Sequence, residues 1–158
     1  MKKRVSVPLA DRAEIEDLYN EYLWALDTGD SEAYADCFAD DAVLREDHPD
    51  GNAREVKGRD NIHAFVQRYH QSPDFAGLQH RESTRIFLPD PEGRPDHYGV
   101  QSTTWALRYD GATGEAHLHY AGYYRDVVGK IDGEWKLVFR WIAPWKGEVH
   151  ARLRPAAS

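Results

Sequence analysis

The spacing of apolar residues changes near the middle of this chain, and that change constrains the fold more than any other feature of the sequence. In the first half, apolar residues recur every three or four positions, as they do along one face of a helix. In the second half, they recur at every second position, as they do along a strand. Because helices and strands are segregated, the sequence predicts an α+β fold in which helices cover one face of a mostly antiparallel sheet.

The element boundaries follow from this spacing and from the residues that interrupt it. The predicted helices cover residues 10–26, 31–38 and 61–70, and a strand begins at 42–44, before the third helix. The predicted strands of the second half cover residues 78–88, 97–109, 115–128 and 134–143. In the last strand, strict alternation places Trp135, Leu137, Phe139 and Trp141 on one face and Arg140 on the other.

Length and composition favour one compact domain. The chain has 158 residues, of which 41% are hydrophobic and 30% are charged, and this balance is typical of a globular protein. We expect the domain to span residues 10–145, between an N-terminal tail at 1–9 and a C-terminal tail at 146–158.

The charge and the cysteine count exclude several classes of function. Twenty basic and 27 acidic residues give a net charge of −7, so the chain has no overall basic field that would hold a nucleic acid. No apolar run approaches the roughly 18 residues that cross a bilayer, and the N-terminal residues lack the apolar stretch of a signal peptide, so we expect no membrane partner. The one cysteine, Cys37, allows no internal disulfide and no Cys-rich metal site, which favours a cytoplasmic location.

Aromatic residues make up 12% of the chain, enough to line a cavity as well as fill a core. This content predicts a small hydrophobic or aromatic substrate. The candidate walls of such a cavity are Trp24, Trp105, Tyr120 and Tyr124, each of which has a simple core position as its alternative.

Several stretches of the sequence carry a family resemblance. They are Ile15–Tyr19, Leu26–Asp30, Phe38–Val43, Gly58–Ile62, and Gly133–Leu137 followed by Arg140. Over residues 10–145 the chain resembles the SnoaL-like group of the nuclear-transport-factor-2 superfamily. The resemblance implies a cone-shaped, curved sheet wrapped around three N-terminal helices, the cystatin-like α+β barrel. It also implies a homodimer or homotrimer.

Within that group, the chain looks most like members that use an Asp–His pair and no cofactor, such as scytalone dehydratase, bile-acid dehydratases and hexachlorocyclohexane dehydrochlorinase. The acid of those enzymes lies at the end of the first helix, where this chain has Asp27, and their histidine begins the strand after the third helix, where it has His80. Five residues before the acid they carry a Tyr or Lys, here Tyr22. The fold also includes lyases that release formaldehyde from lignin-derived aryl dimers.

The chemistry of these residue types agrees with the resemblance. A carboxylate beside the apolar stretch Tyr22–Leu26 needs a partner, and a ring N–H of His80 would supply one. Asp27 would then fix the imidazole tautomer, and the other ring nitrogen would take a proton from the substrate. The alternative is that Asp27 is an exposed residue at the end of the helix.

The role of Tyr22 is less clearly defined by its position. On an ideal helix Tyr22 and Asp27 point about 140° apart, so they share a cavity only if the sheet wraps the helix or the helix unwinds. Tyr19 lies closer to the stripe of Asp27 and competes for the role of proton donor, which would leave Tyr22 in the core. Arg140 either holds a substrate oxygen inside the cone or lies on the outer surface of the sheet.

His117 and His119 are two positions apart on a predicted strand and would point the same way, so they are either two ligands of a metal or two exposed histidines. No motif supplies a third ligand, and we predict neither a metal nor a cofactor. The prediction is therefore a cofactor-independent lyase, a dehydratase or a formaldehyde-releasing enzyme. The alternatives are an isomerase or cyclase of the same fold, or a non-catalytic subunit like the β subunits of ring-hydroxylating dioxygenases.

Overall fold

A computed structural model describes residues 4–146 of the chain. The helices are α1 (Leu9–Thr28), α2 (Ser31–Asp36) and α3 (Arg59–His70), and β1 (Phe38–Asp47) and β2 (Ala53–Lys57) lie between the second and the third. The remaining strands are β3 (Leu78–Pro89), β4 (His97–Asp110), β5 (Glu115–Ile131) and β6 (Glu134–Pro144). No helix among residues 4–146 is long and apolar enough to cross a membrane.

The six strands form one curved sheet that does not close, in the order β2-β1-β6-β5-β4-β3. The pairing is antiparallel except between β1 and β6, which run parallel. The helices pack against one face of the sheet, so the predicted α+β architecture is confirmed. The sequence did not predict β2, because it is short and carries mainly charged or exposed residues. It also began β1 four residues too late, at Ala42, and ended α2 two residues too late.

Helix α1 forms because its apolar residues keep helical spacing and meet the concave face of the sheet. The residues that it buries are Ile15, Leu18, Tyr19, Tyr22, Ala25 and Leu26. Gly29 ends the helix at a left-handed φ of 82°, and its N–H donates to the carbonyl of Ala25 at 3.1 Å. Asp30 then caps α2 by accepting from the N–H of Ala33 at 3.0 Å. Because only Gly29 and Asp30 separate α1 from α2, this short connection fixes where α1 ends.

A bulge in β6 overturns the predicted faces of that strand. Leu137 pairs with Val128 and Phe139 pairs with Val127, so Val138 is an extra residue in the strand. Strict alternation placed Leu137 on the same face as Phe139 and Trp141, and that prediction is therefore wrong. Leu137 and Arg140 are both fully buried, whereas Phe139 and Trp141 are half-buried and line a groove on the other side of the sheet.

Arg140 is the largest fully buried side chain among the described residues, and it is paired in the interior of the cone. Its Nε and Nη2 donate to the two carboxylate oxygens of Asp126 at 3.0 and 2.7 Å. Tyr19 also donates to Asp126 at 2.8 Å, and Glu82 lies 3.5 Å from Nη2 of Arg140. Burial raises the pKa of Glu82 to about 7, although the charge of Arg140 opposes that rise. The network holds β3, β5, β6 and α1 together below the cavity described next.

Replacing Arg140 with Met is expected to destabilise the protein by about 3–5 kcal/mol, because it leaves the carboxylate of Asp126 buried and without its cation. The matched control is Lys57→Met, which removes a cation from an exposed pair with Glu55 and should cost less than about 1 kcal/mol. Urea unfolding followed by circular dichroism measures both. Equal free energies of unfolding for the two variants would contradict this account of the network.

Candidate active site

A cavity of about 750 Å³ opens between the helices and the concave face of the sheet. That volume falls within the range of sites for small organic ligands. Part of its wall is apolar, from residues such as Leu26, Phe65, Leu78 and Ile142. Five tyrosines, three histidines and a few charged side chains complete the wall, so the cavity combines an apolar body with a limited set of polar groups.

The predicted contact between Asp27 and His80 is present at the side of this cavity. Nδ1 of His80 lies 2.7 Å from Oδ1 of Asp27, and each side chain is only 16% exposed. The backbone N–H of His80 also donates to both oxygens of Asp27, at 3.0 and 2.8 Å. Because an ionised carboxylate only accepts hydrogen bonds, Nδ1 carries the hydrogen and Nε2 is the free nitrogen of the neutral ring.

The position of β3 explains why this contact forms. β3 is an edge strand of the sheet, and such a strand presents backbone N–H groups that no neighbouring strand accepts. His80 pairs with Ala106 of β4 on one side, so its N–H points outward toward the end of α1. Asp27, the second-last residue of α1, accepts that N–H and holds the imidazole with the same carboxylate.

The cavity is lined by His80 but not by Asp27. Asp27 lies behind the imidazole, so it acts on the cavity only through His80. The angle of about 140° between Tyr22 and Asp27 on an ideal helix is therefore no obstacle, because the groups that share the cavity are Tyr22 and His80. Asp27 and Tyr22 do not have to point the same way.

Two tyrosines form a hydroxyl pair on the cavity wall. The oxygens of Tyr22 and Tyr34 lie 3.1 Å apart, and their ring centroids are 4.8 Å apart. The guanidinium of Arg140 lies 4.1 Å from the ring centroids of both Tyr22 and Tyr124. Burial raises the pKa of Tyr22, Tyr34 and Tyr124, so all three phenols stay protonated at neutral pH and can donate hydrogen bonds.

Three residues that the sequence placed at the substrate site do not line the cavity. Trp24 is 75% exposed on α1, because it lies on the side of the helix that faces away from the sheet. Trp105 neighbours Ala106, which lines the cavity, so the alternation of β4 turns Trp105 toward the opposite face. Tyr19 is fully buried and donates to Asp126 in the network below the cavity. None of these three side chains therefore contributes to the wall of this cavity.

Tyr120 and Tyr124 do line the cavity, as the sequence predicted. The hydroxyl of Tyr120 is buried and has no hydrogen-bond partner among residues 4–146, so it is available to a ligand. Gly122 makes this position possible, since the ring of Tyr120 occupies the space that a Cβ at residue 122 would fill. Arg140 lies inside the cone, one of its two predicted positions, but Asp126 occupies its Nε and Nη2.

Sequence reasoning missed several residues of the wall. Tyr34 and Tyr69 line the cavity but were not among the predicted site residues. Arg108 was not singled out, although it stands two positions after the cavity residue Ala106 on β4. Its place in the alternation of β4 was the one available signal.

His119 enters the wall through a second bulge. Ala106 pairs with Tyr120 while Leu107 pairs with Leu118, so His119 is the extra residue of β5. The bulge breaks the regular alternation on which the metal hypothesis for His117 and His119 rested. Within residues 4–146, no group of three or more His, Cys, Asp or Glu side chains is arranged to hold a metal ion.

Comparison with solved structures shows which proteins share this fold. A nuclear-transport-factor-2-like protein with a cystatin-like fold from Novosphingobium aromaticivorans aligns with a TM-score of 0.76 and 23% identity, over 93% of this chain and 91% of its own. A provisionally named scytalone dehydratase from the same organism aligns with a TM-score of 0.65 and 22% identity, over 85% and 83% of the two chains. The β subunit of a provisionally named aromatic-ring-hydroxylating dioxygenase, again from that organism, aligns with a TM-score of 0.70 and 17% identity, over 87% and 92%. At these identities the likeness establishes the fold and leaves the reaction open.

Comparison with curated proteins finds no match. The sequence model of one family, described as the SnoaL-like domain, matches residues 7–140. That span includes both residues of the pair and nearly all of the cavity wall. The chain therefore belongs to the SnoaL-like domain family.

Proposed function

We propose that this protein is a cofactor-independent lyase that acts on a small hydrophobic, aromatic substrate. The observation that carries the proposal is the 2.7 Å contact between Nδ1 of His80 and Asp27, with the imidazole at the wall of a largely apolar cavity. A neutral imidazole whose one nitrogen is held by a carboxylate presents the other as a base. The cavity volume and its aromatic wall suit a substrate of one to three rings.

In the proposed reaction, Nε2 of His80 removes a proton from the substrate, and the charge of Asp27 stabilises the imidazolium that results. In a dehydration the proton comes from carbon, its bonding pair forms the new C=C bond, and the C–O bond breaks. If the proton instead comes from a hydroxymethyl group, the adjacent C–C bond breaks and formaldehyde leaves, while the released pair forms the C=C bond and expels an oxygen substituent from the next carbon. In both cases the departing oxygen takes up a proton. The imidazolium of His80 then loses the proton that it removed, so the enzyme returns to its starting state and no net proton is gained or lost.

The tyrosines of the wall would supply the donor for that oxygen. Tyr22 and Tyr34 are protonated, and their hydroxyls lie in the same cavity as His80. A donor fixed in advance stabilises a developing oxygen anion more than water does, because it needs no reorganisation during the reaction. An isomerase or cyclase would return the proton to the substrate and would use the same groups.

Changing either member of the pair tests the proposal. His80→Ala is expected to lower turnover by about 10²–10⁴-fold, the usual contribution of a positioned base. Asp27→Asn should cause a loss of the same order, because an amide no longer fixes the imidazole tautomer or stabilises its cation. The assay is a screen of aromatic alcohols for loss of water or release of formaldehyde.

The matched control is His63→Ala on α3, which changes a histidine that pairs with Glu32 and does not line the cavity. It should leave turnover within twofold of the unmodified protein. If the Asp27 and His80 variants fold and keep full turnover, the pair is incidental to the reaction. If the protein acts on none of the alcohols and instead assembles with a catalytic subunit, the non-catalytic alternative replaces the lyase.

We also propose that two or three copies of the chain associate through the outer face of the sheet, and that the protein works in the cytoplasm. The outer face carries a groove of about 310 Å³ lined in part by Phe139, Trp141 and Val127. Exposed apolar grooves of this kind commonly mark interfaces between proteins. The buried thiol of Cys37, with a pKa raised to about 12 by desolvation, is compatible with a reducing compartment.

Trp141→Glu is expected to convert such an oligomer to monomers, because it places a charge in the middle of the apolar interface. Light scattering after size-exclusion chromatography gives the mass. Trp24→Glu on the exposed side of α1 is the control and should leave the mass unchanged. A Trp141→Glu protein that keeps the mass of the unmodified oligomer would place the interface elsewhere.

A further inference from the structure

Arg108 of β4 is a cation on the cavity wall without a carboxylate partner among the described residues. Its Nη1 donates to the carbonyl oxygen of Ala76 at 3.2 Å, and its Nη2 donates to the carbonyl oxygen of Asp74 at 2.6 Å. Both partners are neutral, so they fix the side chain without cancelling its charge. A guanidinium has five N–H groups, and two of them satisfy these contacts.

The other arginine on the wall differs in this respect. Arg54 donates to the carboxylate of Glu46 at 2.8 Å, and its guanidinium lies 4.5 Å from the ring centroid of Phe65. Its charge is therefore matched by a carboxylate at the same site. Asp74 is the remaining acid of the wall, and its side chain belongs to an exposed residue where solvent weakens its field.

Arg108 stands beside His80 and His119, two of the three histidines of the wall. The pKa of His119 is lowered, first by desolvation and then by the positive charge of Arg108, while Asp74 opposes the change. The lowered pKa favours the neutral form of His119, so Arg108 is the fixed positive charge at this part of the wall. An anion placed against Arg108 would be attracted, and an added cation would be repelled.

The register of the sheet gives the distance from Arg108 to the proposed base. Leu78 pairs with Arg108 and His80 pairs with Ala106, so Arg108 and His80 are diagonal neighbours on adjacent strands. Diagonal neighbours on one face are separated by about 7–8 Å. About one aromatic ring would therefore fit between a substrate group held by Arg108 and the substrate carbon that reacts at His80.

We propose that Arg108 binds an anionic group of the substrate, so that the substrate is an aromatic alcohol that also carries a carboxylate and not an uncharged aromatic alcohol. The planar fork of arginine matches the two oxygens of a carboxylate. The inference rests on the proposed function, because it assigns the substrate of the same cavity. It concerns binding alone, so it can be tested without turnover.

The test compares 2-naphthoate with 2-naphthamide by calorimetry at pH 7.5, because the two compounds have nearly the same shape and differ in charge. The unmodified protein should bind naphthoate at least about 10-fold more tightly than naphthamide, the usual gain from hydrogen bonds to a charged group. Arg108→Gln should reduce this ratio to less than threefold, while the affinity for naphthamide stays within threefold and reports an intact cavity. Arg68→Gln removes the same charge from the exposed side of α3 and should leave the ratio unchanged.

If the glutamine variant does not fold, Arg108→Lys replaces it, because lysine keeps the charge and removes the planar fork. The lysine variant should lower the ratio of the naphthoate affinity to the naphthamide affinity at least threefold. Equal affinity of the unmodified protein for the two compounds, absence of naphthoate binding, or an unchanged ratio in both Arg108 variants would overturn the proposal. Asp27→Asn should keep the preference for naphthoate. A failure of the Arg108 proposal is thereby separated from a failure of the catalytic pair, which is measured by turnover.

Discussion

The arrangement of the cavity depends on one carboxylate that satisfies two donors of the same residue. Asp27 accepts the backbone N–H of His80, which the edge strand leaves without a partner, and it accepts the ring N–H as well. The first bond fixes the end of α1 against β3, and the second fixes the orientation of the imidazole. Because one carboxylate makes both bonds, the contact that anchors the helix also holds an electrostatic partner against the ring.

The network around Arg140 supports the part of the cavity wall that Tyr22 and Tyr124 form. Arg140 places its guanidinium against the rings of Tyr22 and Tyr124, and Asp126 holds it there with two hydrogen bonds. Such a buried pair contributes little net stability compared with an apolar core, but removing one member is costly. Its evident contribution is to fix the two tyrosine rings, which fixes where their hydroxyl groups meet a ligand.

The sequence predicted the features that depend on local spacing. The α+β class and the position of α1 were available from periodicity, and the contact of Asp27 with His80 was available from the family resemblance. The features it missed depend on strand register. The bulge at Val138 turned Arg140 to the buried side together with Leu137, and the bulge at His119 brought that histidine into the wall.

No pattern in a single sequence marks a bulge, because the extra residue is defined by the partner strand. Trp24 shows a different limit. An aromatic residue on an amphipathic helix looks like a residue of the core, and only the packing of the helix shows that its side is exposed. The charge of Arg108 was likewise visible in the sequence, but the neutral partners that leave it uncompensated were not.

The protonation of the two ring nitrogens of His80 is the most direct test of the central claim. Nitrogen-15 NMR of histidine-labelled protein above the titration of the ring distinguishes the two neutral tautomers, and His80→Ala identifies the signal. The account predicts a hydrogen on Nδ1 and a free Nε2, with that preference lost in Asp27→Asn. A neutral ring with its hydrogen on Nε2 would contradict it, because His80 would then have no free nitrogen facing the substrate.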